Sequence, residues 1–305
     1  MPDTRDENMV VVACQAMATR FEIVLPGENH SALRAAGEEA LAEIEKLEDQ
    51  LSLYRPTSEI ARLNSRASTG PVRVTPALFG LLKKARQLSE LTEGAFDITV
   101  APLVRCWGFM GGQGKMPKAE DIEEARKHVG MRQIELNEED FTVRFAREGV
   151  MLDLGAIGKG YAIEKAAEIL MDNGVESALL HGGTSTVQAI GHPPDAKHWA
   201  IALEQGPGHH DSTDARSMPI LKLRDEAMSV SAIWGRAFKV GDSLFGHVLD
   251  PRTGYPAKSA QLAVVIGKSA TETDALSTAL LISGHLPEGI KRLVLSEKGI
   301  ESNFQ

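Results

Sequence analysis

The sequence predicts an α+β fold, with mixed or antiparallel sheets and helices packed on them in one compact unit with two lobes. Three observations carry this. Helical spacing dominates the first half of the chain, short β-type runs dominate the second, and the two never alternate regularly as a doubly wound parallel sheet demands. Residues 9–305 read as a single domain, behind a flexible stretch at 1–8.

Val10 to Cys14 reads as a strand and "RFEIVL" (20–25) as a second. Val11, Val12, Ala13 and Cys14 also match the short box before a lipidated cysteine. An export signal, however, has a basic start and roughly 7–15 apolar residues. Here Asp3, Asp6 and Glu7 precede only a short apolar run, so the expectation is a cytoplasmic protein. Leu33, Ala36, Ala40, Leu41, Ile44, Leu47 and Leu51 recur at helical spacing, which predicts an amphipathic helix despite Gly37 within it. Thr75 and Pro76 open a second helix, through Leu78, Leu82, Ala85 and Leu88 to a stop at Gly94. A third is expected from Pro117 to Val129, ended by Gly130.

The period then changes. "FTVRFA" (141–146) alternates like a strand, and the stretch from Val150 reads as strand, tight turn and helix, closed by Gly174. Between 176 and 268 come "SALLHGG", "STVQAIG", "HWAIALE", "PILKLRD", "AMSVS" and "QLAVVIG", all short β-type runs. Helix returns at 271–283 and again after Pro287. "QGPGHHDSTDARS" (205–217) has turn composition and reads as an exposed loop; His209, His210 and Asp211 there are either metal donors or a solvated surface.

Composition limits the function. With 42 acids against 33 bases, a net charge of -9 and no dense basic run, a nucleic-acid partner is disfavoured. Cys14 and Cys106 are too few for a disulfide framework. No stretch approaches the ~18 apolar residues of a membrane span. A hydrophobic fraction of 43% with only 5% aromatic residues implies a core of Leu, Ile, Val and Ala.

Four stretches can carry chemistry. "LDLGAIGKGYA" (152–162) sets Gly158, Lys159 and Gly160 behind Asp153, but Asp153 stands where a Walker loop needs its first glycine and Gly160 where it needs a hydroxyl. What remains is a glycine turn, a helix N-terminus and a lysine. That suits an anion, and equally a plain connection with Lys159 in solvent. In "TETDALSTALL", Asp274 and Thr278 share one helix face. Their hard oxygens suit magnesium, while Thr271 with Asp274 also resembles a capping box, with Thr278 in the core. In "GHVLDPRTGYP" (246–256), His247 is either a base or a packed histidine. Asp97, among apolar residues in "GAFDITVAPLV", needs donors, either backbone N–H groups in a turn or groups of a nucleotide.

Taken in order, "MATRFEI", "LSLYRPTSEIARLN", "GAFDITVAPLV" with "WGF", "LDLGAIGKGYA", "HGGTSTVQAIG", "SVS", "HVLDPRTGYP" and "TDALSTALLISG" resemble the ApbE family of FAD:protein FMN transferases, from about Met17 to Gly284. The resemblance implies an ApbE-like, T-fold-related architecture. It also implies a magnesium-dependent enzyme that moves FMN from FAD to a Thr or Ser hydroxyl of an acceptor flavoprotein, with release of AMP. By position in the motifs, Ala156 (carbonyl), Asp274 and Thr278 would hold the metal. Met17, Tyr54, Ala95, Phe96, Asp97, Asp153, Lys159, His247 and Val248 would meet FAD. His247, Asp274 and Lys159 would carry the catalysis, with His247 taking the proton of the attacking hydroxyl. The alternatives are a magnesium-dependent FAD pyrophosphatase and a non-catalytic flavin carrier. Ala18 stands where the family often has Gly, "GGTS" where Gly-Gly-Asp is frequent, and "SVSA" in place of Thr-Ser-Gly.

Overall fold

The computed structural model describes residues 8–203, 219–235, 237–240, 243–296 and 299–304. The 205–217 stretch with His209, His210 and Asp211, and nearly all of the N-terminal 1–8 stretch, lie outside the described residues. The first elements are β1 (Met9–Ala16), β2 (Thr19–Pro26), α1 (His30–Leu51), α2 (Glu59–Arg66), β3 (Val72–Arg73), α3 (Pro76–Leu91), α4 (Ala101–Cys106) and α5 (Ala119–Arg126). Next come β4 (Ile134–Asn137), β5 (Thr142–Phe145), α6 (Gly158–Asp172), β6 (Ala178–Gly182), β7 (Thr186–Ile190), β8 (Trp199–Ala202) and β9 (Ile220–Leu223). The last are β10 (Ala227–Ala232), β11 (Ala237–Val240), β12 (Ser243–Gly246), β13 (Leu262–Gly267), α7 (Ala270–Ser283), β14 (Lys291–Ser296) and β15 (Gly299–Ser302).

The main sheet has eight strands in the order β1-β2-β6-β7-β10-β13-β14-β15. Smaller sheets are β3-β5-β4, β8-β9 and β11-β12. The α+β expectation therefore holds. No described helix is long and apolar enough to cross a membrane.

Two compact units divide the chain, and each recruits separate segments: Met1–Glu48, Lys159–Val230 and Ile266–Asp274 in the first, and Asp49–Gly158, Ser231–Val265 and Ala275–Gln305 in the second.

In the first unit, β1 and β2 form a hairpin closed at Ala16↔Thr19, with Cys14 opposite Phe21 inside the ladder. Its two turn residues, Met17 (φ 49°) and Ala18 (φ 59°), are both left-handed. A two-residue hairpin needs this geometry because the strands twist to the right, yet a residue with a Cβ is strained in it. Ala18→Gly is therefore expected to stabilise the protein by about 0.5–1 kcal/mol, the strain relieved outweighing the extra freedom of the unfolded chain; a urea midpoint that does not rise would contradict this. α1 lies on this hairpin at Gly37, where a Cβ would come within 2.7 Å of Val12 Cγ2. That close approach is why a glycine interrupts a good helix. β6 continues the sheet antiparallel to β2, β7 antiparallel to β6, and β10 antiparallel to β7 with Ser229 opposite Thr186.

In the second unit, Ser58 caps α2 by accepting from the Ala61 N–H at 2.9 Å, and Thr75 caps α3 by accepting from Leu78. Trp107 is fully buried and donates its Nε1–H to the Gly254 carbonyl at 2.8 Å, which ties the "DPRTGYP" turn to α4. Phe238, Phe245 and Tyr255 surround that indole, and Phe109 packs on Phe238. A chain with few aromatics thus concentrates them at one turn.

Three expected elements differ. Val150 to Leu154 is not a strand: Asn64 holds both polar groups of Leu152, accepting from its N–H at 2.7 Å and donating to its carbonyl at 3.0 Å, and the Asp153 N–H goes to the Ile98 carbonyl at 2.7 Å. The helix expected at Pro117–Val129 is only Ala119–Arg126, since Lys118 before it is extended (ψ 152°). After Pro287 the described residues form β14 and β15 rather than a helix.

Candidate functional site

α7 is buried almost all round: only Glu272, Thr278 and Ser283 of its residues escape full burial. Asp274 is 4% exposed in the middle of it. A carboxylate there is costly unless donors meet it. The Gly160 N–H donates to Oδ2 at 2.9 Å, and the Thr186 hydroxyl lies 3.5 Å from Oδ1. The Gly160 contact requires a glycine, for a Cβ would fall 2.1 Å from the Ala270 carbonyl oxygen and 2.7 Å from Asp274 Cβ. In the first unit, the glycine-lysine turn opening α6 thus sits directly on the first turn of α7.

The capping box expected of Thr271 and Asp274 is not formed. Ser269 and Glu164 cap α7 instead: the Ser269 hydroxyl accepts from the Glu272 N–H at 3.2 Å, and the Glu164 carboxylate accepts from the Thr271 N–H at 3.0 Å and the Ser269 hydroxyl at 2.5 Å. This leaves Asp274 out of the capping and the Thr271 hydroxyl buried without a partner. Thr278, one turn beyond Asp274, is partly buried, and its Oγ1 lies 3.2 Å from Ser231 Oγ in the second unit.

Lys159 is the second residue of α6 and partly exposed. Ahead of it, the Asp153 carboxylate accepts from the Gly155 N–H at 2.8 Å, and the Leu154 carbonyl accepts from Ile157 and Gly158. Ala156 lies in that turn, partly exposed. The Asp153 to Ile98 bond joins this stretch to "GAFDITV", both in the second unit. Ala95 and Phe96 are each 1% exposed.

Asp97 resolves one open choice. Its Oδ1 accepts from the Thr99 N–H at 2.8 Å and the Thr99 hydroxyl at 2.5 Å, and its Oδ2 from the Met131 N–H at 3.1 Å. The donors are therefore the protein's own. Burial pushes its carboxyl above the ordinary aspartate value; the Thr99 and Met131 bonds and the Arg132 charge oppose that only in part. A pocket of about 700 Å³ in this unit opens beside Asp97, with Gly94, Met131, Arg132, Pro251 and Arg252 in its wall.

His247 follows β12, partly buried, its ring edge-on to Phe109 at 6.5 Å. Val248 accepts the Ala257 N–H at 2.9 Å, which closes the "DPRTGYP" turn, and Asp250 binds both the backbone N–H and the guanidinium of Arg252 within it. Met17 is at the hairpin tip of the first unit, where Gly183 passes so close that its Cβ would meet Thr19 Oγ1 at 2.4 Å. Tyr54 lies between α1 and α2 and is 62% exposed.

Sequence reasoning missed Asn64, Thr186 and Ser229, whose partners lie far along the chain. Among the described residues no group of three or more His, Cys, Asp and Glu side chains could hold a metal ion. The Asp274 carboxylate, the Thr278 hydroxyl and the Ala156 carbonyl are each hard oxygen donors, the type that suits magnesium rather than a soft metal.

The ApbE family model matches residues 17–304. A protein from Vibrio cholerae serotype O1, named FAD:protein FMN transferase, is 31% identical over 246 residues, or 79% of this chain and 71% of its own. One of the same name from Haemophilus influenzae is 28% identical, over 92% of this chain and 82% of its own. The crystal structure of the ApbE protein from Thermotoga maritima superposes with a TM-score of 0.86 at 29% identity, covering 96% of both chains. The flavin transferase ApbE from Vibrio cholerae superposes at 0.79 and 27% identity, also over 96% of each.

Proposed function

The chain belongs to the ApbE family, and from that premise we propose that it transfers FMN from FAD to a Thr or Ser hydroxyl of an acceptor flavoprotein, using magnesium and releasing AMP. The observation that carries this reading is Asp274. A carboxylate 4% exposed, set on the glycine-lysine turn with a hydroxyl one helical turn away, is expensive as structure and apt as a ligand.

Phosphoryl transfer asks mainly for positioning and for neutralised charge at the phosphates. The Asp274 carboxylate, the Thr278 hydroxyl and the Ala156 carbonyl would hold the ion. Magnesium bound there supplies polarisation of the pyrophosphate and offsets its charge. Gly158 and Gly160 let the backbone of the α6 turn approach the phosphates, and Lys159 balances charge on the departing AMP. Asp153, Met17 and the Ala95 to Asp97 segment border the dinucleotide, and the exposed ring of Tyr54 offers a stacking face. His247, beside Val248, takes the proton of the acceptor hydroxyl as its oxygen bonds the FMN phosphorus and the bridging oxygen leaves with AMP.

The test is incubation with FAD, magnesium and a flavoprotein carrying a candidate hydroxyl. The expected result is an acceptor heavier by one FMN, with AMP released in equal amount. Free FMN and AMP with an unlabelled acceptor would make water the nucleophile. Bound FAD without magnesium-dependent turnover would make the protein a carrier. Either result overturns transfer.

A further inference from the structure

Behind Asp274 in the first unit runs a line of buried hydroxyls. Thr186 on β7 and Ser229 on β10 are directly opposed in the ladder, so their side chains share the sheet face that meets α7. Thr186 and Ser229 are 0% exposed and Thr273 is 1% exposed. Thr273 Oγ1 lies 2.9 Å from Ser229 Oγ, Ser229 Oγ lies 3.4 Å from Thr186 Oγ1, and Thr186 Oγ1 lies 3.5 Å from Asp274 Oδ1.

Each hydroxyl has a single proton, and an ionised carboxylate can only accept. When the Thr186 proton goes to Asp274, Ser229 must donate to Thr186, while the single Thr273 proton has two acceptors in reach, Ser229 Oγ and the Ala270 carbonyl at 3.2 Å. The carboxylate thereby sets the direction of the Thr186 and Ser229 hydroxyls. Gly160 fixes Oδ2 from one side, while the hydroxyl line sets the rotation of the carboxylate from the other. A strand pair with no other polar duty at these positions would be filled better by apolar side chains.

We infer that Thr186, backed by Ser229, is a positioning residue that aims the Asp274 carboxylate at its metal. This rests on the metal role of Asp274 proposed above. Ligand-orienting partners of this kind are worth about 10-fold to 100-fold in metal affinity.

The experiment measures Mn2+ binding to the full-length protein by electron paramagnetic resonance, in wild type and in Thr186→Val, Thr186→Ser, Ser229→Ala and Asp274→Ala. Valine keeps the shape of threonine and removes only the hydroxyl. Thr186→Val should weaken Mn2+ binding by about 10-fold or more, and Ser229→Ala by a smaller factor, while KM for FAD changes less than about 2-fold. Thr186→Ser should restore most of the loss. Wild-type Mn2+ affinity in both Thr186→Val and Ser229→Ala, with Asp274→Ala strongly impaired, overturns the positioning role alone. Equal impairment of Thr186→Val and Thr186→Ser assigns the effect to packing and also overturns it. Unchanged Mn2+ binding in Asp274→Ala overturns the metal role and this inference with it.

Discussion

Asp274→Asn should abolish magnesium-dependent AMP release from FAD while the protein stays folded. Asparagine keeps the size of the side chain and an oxygen to accept the Gly160 N–H, so the close contact of α6 with α7 survives. What it loses is the charge. A directly bonded carboxylate should matter more than the ~10–100-fold typical of an outer-shell partner, and the expected fall in kcat is on the order of 10³-fold. Asp274→Ala should be as inactive and also less stable, by about 1–2 kcal/mol for the lost bond. Chromatographic assay of AMP, with a urea melt on the same samples, separates the two effects. A well-folded Asp274→Asn protein with near-normal magnesium-dependent turnover would remove this residue from the chemistry.

Gly160→Ala is expected to give a large loss of stability for a single added methyl group. The new Cβ would meet a backbone carbonyl at 2.1 Å, and neither helix can move its backbone cheaply. Overpacking of this kind costs about 1–3 kcal/mol, and parting α6 from α7 also breaks the bond to Asp274, so about 3 kcal/mol is the expected total. Gly158, two residues earlier in the same turn, supplies the contrast. Its Cβ would meet nothing nearer than Leu154 Cβ at 3.9 Å. Gly158→Ala should therefore leave stability unchanged or raised by up to about 1 kcal/mol. Denaturant midpoints for both variants, compared with wild type, decide the matter. Equal loss at the two positions would mean that the turn tolerates no side chain at all, and that the contact with Ala270 is not what demands a glycine.

The two glycines show where sequence reading stops. Their spacing against Lys159 was enough to exclude a Walker loop and to mark an anion-friendly turn. Nothing local distinguished Gly160, because the atoms that would clash with its Cβ belong to residues more than a hundred positions away. The same limit explains Val150 to Leu154. Its apolar run is what a strand would show, but Asn64, 88 residues earlier, takes the hydrogen bonds that a neighbouring strand would have taken. Helices with a clear apolar stripe, α1 and α3, were legible almost to their ends. α7 was legible as a helix, yet its capping was misassigned, since Glu164 reaches in from α6. The motifs singled out Asp274, Thr278 and Lys159, and of these the fold sets Asp274 on the Gly160 N–H beside Lys159. The hydroxyls of Thr186 and Ser229 carried no signal, being ordinary β-strand residues until the ladder sets them opposite each other.

The Asn64 clamp also bears on how the protein ages. Deamidation of this one side chain would replace the nitrogen that donates to the Leu152 carbonyl with an oxygen, so that two acceptors would face each other where a bond had been. No ladder stands by to take over. The chain that leads into the glycine-lysine turn would then come loose through a slow chemical lesion that also adds a negative charge beside it, and old protein would lose order there before it lost its fold.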